Sequence, residues 1–362
     1  MPQLYTCMLS FTTTLTCFNR LNAIFLLTSK MFTTEDYDYS ATHMPCDTNP
    51  GLVQGSYHML LYLLFFLGLT GNVTVLWVLI RYIKLKSMTD VCLLNLALSD
   101  LVVVLTLPLW ASLQQQYSGD GLCKVMSGAY QLGLYSGTFF VTLMSVDRYL
   151  AIVHAVAAMR ARTLRYGTVA SVVIWALSLA AALPQAVFAQ LEDEDGAFSC
   201  QTHYPENVAT SWKMYHNFTE NVVSLFICLP VIVYCYVCIL VVLLRLRNSK
   251  KDRAMKLILG IVCMFVICWV PYNVAVFLLT LQMFNIGSSC EMSVRVNAAL
   301  QVTQIIALTH CCVNPVIHAF VGEKFRNCLR LVLSKNLFCK RLVRHTATLS
   351  RGSENETSNT PV

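Results

Sequence analysis

The residues of this sequence that could do chemistry are few, and the most informative are an acid and a base side by side. Asp147 and Arg148, followed by Tyr149, close a long apolar run. Ionisable groups within a membrane cost roughly 2.5–3.5 kcal/mol at the centre of a helix, and less near its ends. The triplet is therefore either a charge at a membrane edge or a switch that exchanges partners between two states, and packing alone does not account for it.

A second carboxylate lies deeper. Asp100 ends the stretch L-N-L-A-L-S-D inside an apolar segment. A buried carboxylate needs a hydrogen-bonding partner or a cation. Asn72 and Asn314 are the candidate neighbours, and a sodium ion is the natural counter-charge. The alternative is a protonated aspartic acid that forms hydrogen bonds within the core.

The sequence does not predict an enzyme. It contains no set of nucleophile and base and no His or Cys spacing typical of a metal centre. We therefore expect no catalytic residue, no metal other than the sodium ion, and no other cofactor.

The elements that position these groups are membrane helices. Of 362 residues, 56% are hydrophobic and 12% are charged, with a mean hydropathy of +0.58. Soluble domains carry about 25% charged residues, and a membrane helix needs about 20 apolar residues. The sequence predicts an all-α membrane protein, a bundle of seven transmembrane helices, at residues 57–80, 91–113, 122–146, 168–189, 218–244, 254–281 and 297–321.

Charge sets the orientation of the bundle. Lys and Arg cluster at residues 81–86, 160–165, 245–256 and 324–330, whereas residues 35–47 and 192–195 are acidic. Cytoplasmic loops carry an excess of basic residues, so the N-terminus is predicted outside and the tail inside. The net charge of +7 follows from this topology, and nucleic acid is not an expected partner.

These features divide the sequence into four regions. Residues 1–56 form an extracellular tail, in which residues 1–30 are either an upstream extension or part of the mature protein. The bundle occupies residues 57–321. Residues 322–336 are amphipathic and predict a short eighth helix on the lipid surface. Residues 337–362 form the cytoplasmic tail.

The outer side carries two candidate modification sites. Tyr37 and Tyr39 lie among acidic residues, a setting that favours tyrosine sulfation and a basic partner, and the alternative is an ordinary solvated acidic tail. Asn217 begins an N-F-T glycosylation sequon at the outer end of span five.

Four cysteines are predicted on the oxidising side of the membrane. They are Cys46, Cys123, Cys200 and Cys290, and four cysteines can pair in three ways. Of these we favour the disulfides Cys123–Cys200 and Cys46–Cys290.

An ordered set of motifs resembles a known family. Asn72, Asp100, Asp147-Arg148-Tyr149, Trp175, Trp269 with Pro271, and Asn314-Pro315 occur once each on successive spans. Together they resemble the rhodopsin-like (class A) G-protein-coupled receptors. The stretches T-L-P-L-W from Thr106, D-R-Y-L-A-I-V-H-A-V from Asp147 and H-C-C-V-N-P from His310 resemble the chemokine receptors. The stretches S-M-T-D-V-C-L-L-N-L-A-L-S-D from Ser87 and F-F-V-T-L-M-S-V-D-R-Y from Phe139 resemble the CC type, and are most similar to types 4 and 8.

The resemblance implies a plasma-membrane receptor that binds a basic CC chemokine outside. The chemokine globule would meet Tyr37, Tyr39 and the acidic loop 192–195. Its N-terminus would enter the bundle near Trp110, Tyr130, Tyr272 and Gln304.

The resemblance also implies a route of activation. The implied switch residues beyond Asp147-Arg148-Tyr149 are Tyr236, Trp269, Pro271, Asn314, Pro315 and His318. An inhibitory-class heterotrimeric G protein would dock inside, raise calcium and drive leukocyte chemotaxis. Receptor kinases and arrestin would act on the same face.

Three positions depart from the family pattern. Gln304 stands where many CC receptors carry Glu, so a charged anchor for the chemokine amine is missing. His318 replaces the tyrosine of N-P-x-x-Y. Pro230 is displaced by two residues, which predicts a local difference in helix five. His318 favours the alternative function, an atypical scavenging receptor without G-protein signalling, whereas the intact Asp147-Arg148-Tyr149 opposes it.

Overall fold

The structure is a computed structural model, and it describes residues 51–112, 119–154, 163–194, 197–245, 251–284, 286 and 289–321. The tyrosines of the N-terminal tail, Cys46, the eighth helix and the C-terminal tail lie outside these residues. The predictions made for them stay predictions.

Seven long helices follow one another along the described chain. Their bounds are α1 Gly51–Val78, continued by a π-helical turn Leu79–Ile83; α2 Met88–Ser112; α3 Asp120–Val153; α4 Leu164–Phe188; α5 Ala209–Arg245; α6 Lys251–Met283; and α7 Cys290–Val321. The predicted seven-helix bundle is confirmed. Most predicted spans are too short by a few residues, because helices extend past the apolar stretch into the interface.

Six of these helices are apolar and long enough to cross a membrane by composition alone. The remaining long helix, α3, packs against α2, α4, α5 and the outer hairpin. Its buried residues include Ser127, Gln131, Ser136, Thr138 and Ser145. A helix surrounded by other helices needs less apolar surface than one facing lipid, and α3 is the central helix of the bundle.

Helix α5 is irregular where the sequence predicted a difference. It consists of Ala209–Asn221, a π-helical segment Val222–Cys228, and Leu229–Arg245, with Pro230 two residues after the end of the π-helical segment. Proline lacks an N–H and clashes with the preceding turn, and a π-bulge is one way to absorb that disruption. The extra residue in the turn re-aims the side chains on the outer half of α5.

The outer connection between α4 and α5 forms a β-hairpin. Strand β1 (Ala189–Glu194) pairs antiparallel with β2 (Ala197–Thr202), with Leu191 opposite Cys200. The sequence analysis assigned no strand here, since acidic residues such as Glu192 have low strand propensity. Tertiary contacts stabilise the hairpin despite this low propensity, because the Cys123–Cys200 disulfide ties β2 to the start of α3.

Polar side chains hold the helices together inside the apolar core. Trp175 on α4 donates its indole N–H to Asn95 Oδ1 on α2 at 2.9 Å, and Asn95 Nδ2 donates to Ser171 on α4 at 3.1 Å. Asn72 on α1 donates to the Cys311 carbonyl of α7 at 2.9 Å. Such bonds satisfy polar groups that lipid cannot, and they fix helix register.

Candidate functional site

The outer entrance is framed by the hairpin. Asp120, at the start of α3, accepts a hydrogen bond from the Leu191 N–H at 3.0 Å. Glu192 lies 3.3 Å from His203, so one acid of the predicted chemokine-contacting loop already faces a histidine. Behind them Tyr204 stacks on Trp212 with an interplanar angle of 5°, and burial raises the pKa of Tyr204.

The structure brings together the four pocket residues predicted in the bundle. Trp110 meets Tyr130 edge to face, with ring centroids 6.2 Å apart. Gln304 Nε2 donates to the Tyr130 hydroxyl at 3.0 Å. Tyr272 contacts Trp269 below it, at 6.5 Å between centroids. The indole N–H of Trp110 is buried and has no partner among the described residues. Their role in binding stays a prediction.

The sequence analysis missed Glu220 on α5. Its side chain is buried, with 5% exposure, and it lies close to Tyr272. His216 Nε2, one turn earlier, lies 3.8 Å from its carboxylate and 3.4 Å from Gln131 Nε2. No Lys or Arg in the described part of the chain forms an ion pair with Glu220. A buried acid inside an apolar span is the signal that could have found it.

Trp269 lies directly beneath this pocket. It is 4% exposed, and it stacks on Phe265 and contacts the ring of His310 with centroids 5.0 Å apart. Pro271 lies two residues further along α6. The side chain therefore connects Tyr272 in the pocket with His310 in the centre of the bundle.

Asp100 is the centre of a buried polar cluster. Its Oδ2 accepts a hydrogen bond from Asn314 Nδ2 at 2.9 Å, as the sequence suggested. The other described neighbours are His310, with Nε2 3.7 Å from Oδ1, and the Cys311 thiol. The Asn72 amide donates to the carbonyls of Gly68 and Cys311, and its place as a neighbour of Asp100 stays a prediction.

The chemistry of this cluster suits sodium poorly. Hard cations prefer oxygen ligands, but the described groups around the carboxylate are an imidazole nitrogen, a thiol sulfur and the N–H side of an amide. The sodium ion therefore stays a prediction.

The inner end of the bundle carries the predicted acid–base pair. Asp147 is fully buried and accepts a hydrogen bond from Thr89 of α2 at 2.6 Å. Arg148 Nε lies 4.0 Å from the same carboxylate oxygen, with 40% of the Arg148 side chain exposed. Asp147 thus ties α2 to α3, whereas Arg148 remains accessible from the cytoplasmic side.

Tyrosines of α3 and α5 surround this pair. The Tyr236 hydroxyl bonds to Ser145, and the Tyr149 ring lies 5.9 Å from that of Tyr234. His318 is in α7, but its side chain lies outside the described residues. The contact between His318 and Tyr236 stays a prediction.

The structure describes three of the four outer cysteines and the asparagine of the sequon. The predicted disulfide Cys123–Cys200 is present, and Cys290 is also disulfide-bonded. The pairing of Cys290 with Cys46 stays a prediction. Asn217 lies within the helical segment Ala209–Asn221, half-buried, with Nδ2 3.9 Å from Met283 Sδ. Glycosylation of Asn217 stays a prediction.

Comparisons with known proteins agree with this architecture. The family model described as 7 transmembrane receptor (rhodopsin family) matches residues 71–318. The human C-C chemokine receptor type 1 is 42% identical over 323 residues, 86% of this chain and 90% of the relative. The mouse probable C-C chemokine receptor type 3 is 43% identical over 311 residues, 84% of this chain and 86% of the relative.

The chain therefore belongs to the rhodopsin family of seven-transmembrane receptors and, within it, to the C-C chemokine receptors. It is a multi-pass plasma-membrane protein with its N-terminus outside, and it is not an enzyme. The similarity to types 4 and 8 in particular stays a prediction.

Proposed function

We propose that this receptor binds a basic CC chemokine at its outer face and activates an inhibitory-class heterotrimeric G protein inside, raising calcium and driving leukocyte chemotaxis. The chemokine body meets the acidic tail around Tyr37 and Tyr39, and complementary charge speeds their encounter. The chemokine N-terminus then enters the pocket between Trp110, Tyr272 and Gln304. Receptor kinases and arrestin act afterwards on the cytoplasmic side.

The observation that carries the signalling proposal is the geometry at Asp147. Its carboxylate is fully buried, holds Thr89, and lies 4.0 Å from Arg148. A buried carboxylate that accepts a hydrogen bond from Thr89 and lies beside an exposed arginine supports a two-state element, because Arg148 can move away while Thr89 still donates to the carboxylate. Ligand contacts that favour one state outside then change G-protein affinity inside, and the coupling is reciprocal.

Glu220 supplies the acid that Gln304 lacks. The chemokine N-terminus carries an ammonium group, and a buried carboxylate without a Lys or Arg partner is its natural acceptor. Glu220 contacts Tyr272, which contacts Trp269. An ammonium group at Glu220 therefore acts on the aromatic side chain that leads to His310. We propose that the charged anchor lies on α5 in this receptor.

The alternative is a scavenging receptor that takes up chemokine without activating a G protein. His318 in place of tyrosine is the observation that favours it. The Asp147–Arg148 geometry favours signalling, since a scavenger has no need of an element that responds to a G protein.

A ligand screen separates these functions. Cells expressing the full chain are exposed to a panel of CC chemokines, with calcium release, arrestin recruitment and chemokine uptake recorded for each. We expect at least one chemokine to release calcium, with sensitivity to an inhibitor of inhibitory-class G proteins. Uptake or arrestin recruitment without a calcium response to any ligand contradicts the proposal and supports scavenging.

A further inference from the structure

The inner end of α1 carries an exposed cluster of basic side chains. Arg81, Lys84 and Lys86 lie within a stretch of six residues, and all three are exposed. None of them forms an ion pair with an acid in the described part of the chain. The nearest acid in the sequence, Asp90, accepts hydrogen bonds from the backbone N–H groups of Lys86 and Ser87 at 3.1 and 3.0 Å, so it caps α2. The positive charge of the cluster is therefore available to a ligand.

The face of α1 that leads to this cluster is apolar and exposed. Val73, Trp77 and Ile80 have the i, i+4, i+7 spacing of one helix face, and they are 47%, 46% and 64% exposed. The opposite face of α1 packs against α2. An exposed apolar face of a membrane-spanning helix contacts lipid chains. Arg81 and Lys84, at i+8 and i+11, border the inner end of that face.

The backbone at the junction of the apolar face and the basic cluster is irregular. The π-helical turn Leu79–Ile83 closes with a hydrogen bond from the Lys84 N–H to the Leu79 carbonyl at 2.9 Å. Lys84 has φ 56° and ψ 134°, a strained conformation for a lysine, and such strain is concentrated at functional sites. Trp77 meets Tyr82 edge to face, with ring centroids 5.2 Å apart. Amphipathic rings of this kind lie at the level of the lipid headgroups, so the strained turn is at that level too.

A phosphoinositide matches this surface better than the other anionic lipids do. Basic clusters directly cytoplasmic of a membrane helix bind phosphatidylserine and phosphoinositides. Phosphatidylserine has a single net negative charge, whereas a phosphatidylinositol bisphosphate has several on one headgroup. Lysine and arginine both bind phosphate, and three of them in one short segment can contact one such headgroup together. The apolar face of α1 provides the contact area for the acyl chains of the same lipid.

We propose that Arg81, Lys84 and Lys86 bind the headgroup of a phosphatidylinositol bisphosphate in the inner leaflet, with its acyl chains along Trp77 and Ile80. The basic segment joins α1 to α2. A bound lipid therefore stabilises the inner ends of both helices. Binding needs no chemokine, because the site lies on the lipid-facing surface and not in the pocket.

Neutral variants test the role of the cations. Purified full-length receptor in detergent is titrated with a fluorescent phosphatidylinositol bisphosphate. We expect Arg81→Gln with Lys84→Gln to weaken binding at least about tenfold, because each basic residue near an anionic surface adds to the attraction. The control is Arg165→Gln with Lys213→Gln, which removes two exposed cations outside the cluster and should leave the affinity unchanged. Unchanged affinity in the first variant, or equal losses in both, would overturn the proposal.

Competition on the parent receptor identifies the chemistry of the ligand. Unlabelled phosphatidylinositol bisphosphate should displace the probe at a concentration at least about tenfold lower than phosphatidylserine, because its headgroup carries more charge. Free inositol trisphosphate should compete more weakly than the lipid, because it lacks the acyl chains that contact Trp77 and Ile80. Equal displacement by phosphatidylserine would indicate a non-specific anionic surface. Equal displacement by inositol trisphosphate would indicate a soluble phosphate ligand, and either result would overturn the proposal.

A photoreactive phosphatidylinositol bisphosphate locates the site on the parent receptor, so the proposal remains testable if a variant fails to fold. We expect cross-links within residues 73–86 that excess unlabelled lipid removes. Cross-links confined to other segments would overturn the proposal. Since no chemokine is present in these experiments, their failure is distinct from failure of the proposed function.

Discussion

At the scale of residues, the pocket contains one acid in an unexpected place. Gln304 donates to Tyr130 and carries no charge, whereas Glu220 on the opposite side is buried beside Tyr272 and His216. The Gln304 amide and the Glu220 carboxylate therefore have different roles in the pocket. Gln304 orients a tyrosine, and Glu220 offers the negative charge.

Replacement of this acid by its amide tests the anchor. Glu220→Gln should reduce chemokine potency about tenfold or more, because a charge-assisted hydrogen bond is worth roughly 1.5–3 kcal/mol and 1.4 kcal/mol is a factor of ten. Dose–response curves for G-protein activation measure it. Glu291→Gln, an exposed acid at the start of α7, is the control. Equal losses in both variants, or none in Glu220→Gln, would reject the anchor.

At the scale of elements, the close contact of α2 and α3 positions both Asp100 and Asp147. Gly133 makes this approach possible, since a Cβ there would lie 2.5 Å from Val103 Cγ2 and 2.8 Å from the Ser99 carbonyl oxygen. Backbone atoms cannot move aside as a flexible side chain can. The two helices are therefore held at a distance that only glycine allows.

Gly133→Ala should separate these helices and destabilise the receptor. Overpacking of a well-packed core typically costs about 1–3 kcal/mol, so we expect a lower apparent Tm in a thermal-shift assay. Gly121→Ala on the same helix is the control, because a Cβ there meets nothing within 4 Å. A Tm for Gly133→Ala as high as that of the control would contradict the packing described.

The sequence predicted correctly those features that depend on a single physical property of a local segment. Apolar length gives the helices, and the buried acid Asp100 indicates Asn314 as its partner. The prediction failed where the outcome depends on side chains from distant helices. His310 and Cys311 complete the Asp100 cluster, and nothing local in the sequence shows this arrangement.

At the scale of the whole molecule, charge is divided between the two sides of the membrane. Residues 35–47 outside are acidic, and residues 245–256 inside are basic. The same division that orients the chain in the membrane also suits a basic ligand outside. Electrostatic attraction of this kind acts mainly on association rate and weakens with salt.

The tail tyrosines test this attraction. Tyr37→Phe with Tyr39→Phe removes both sulfation sites, and should weaken chemokine binding most at low ionic strength, where charges are least screened. Association rates at low and high salt measure it, with Tyr62→Phe on the exposed face of α1 as the control. Identical rates for parent and double variant at low salt would reject a sulfated, ligand-binding tail.

The most direct measurement of the central claim is chemokine-driven nucleotide exchange on an inhibitory-class G protein by the Arg148→Ala receptor. We expect exchange to be abolished while chemokine binding at the surface is retained, because Arg148 is the exposed partner of the buried Asp147. Arg165→Ala, an exposed arginine at the start of α4, should exchange normally. Unchanged turnover in Arg148→Ala would contradict the account of Asp147-Arg148 as the element that couples ligand to G protein.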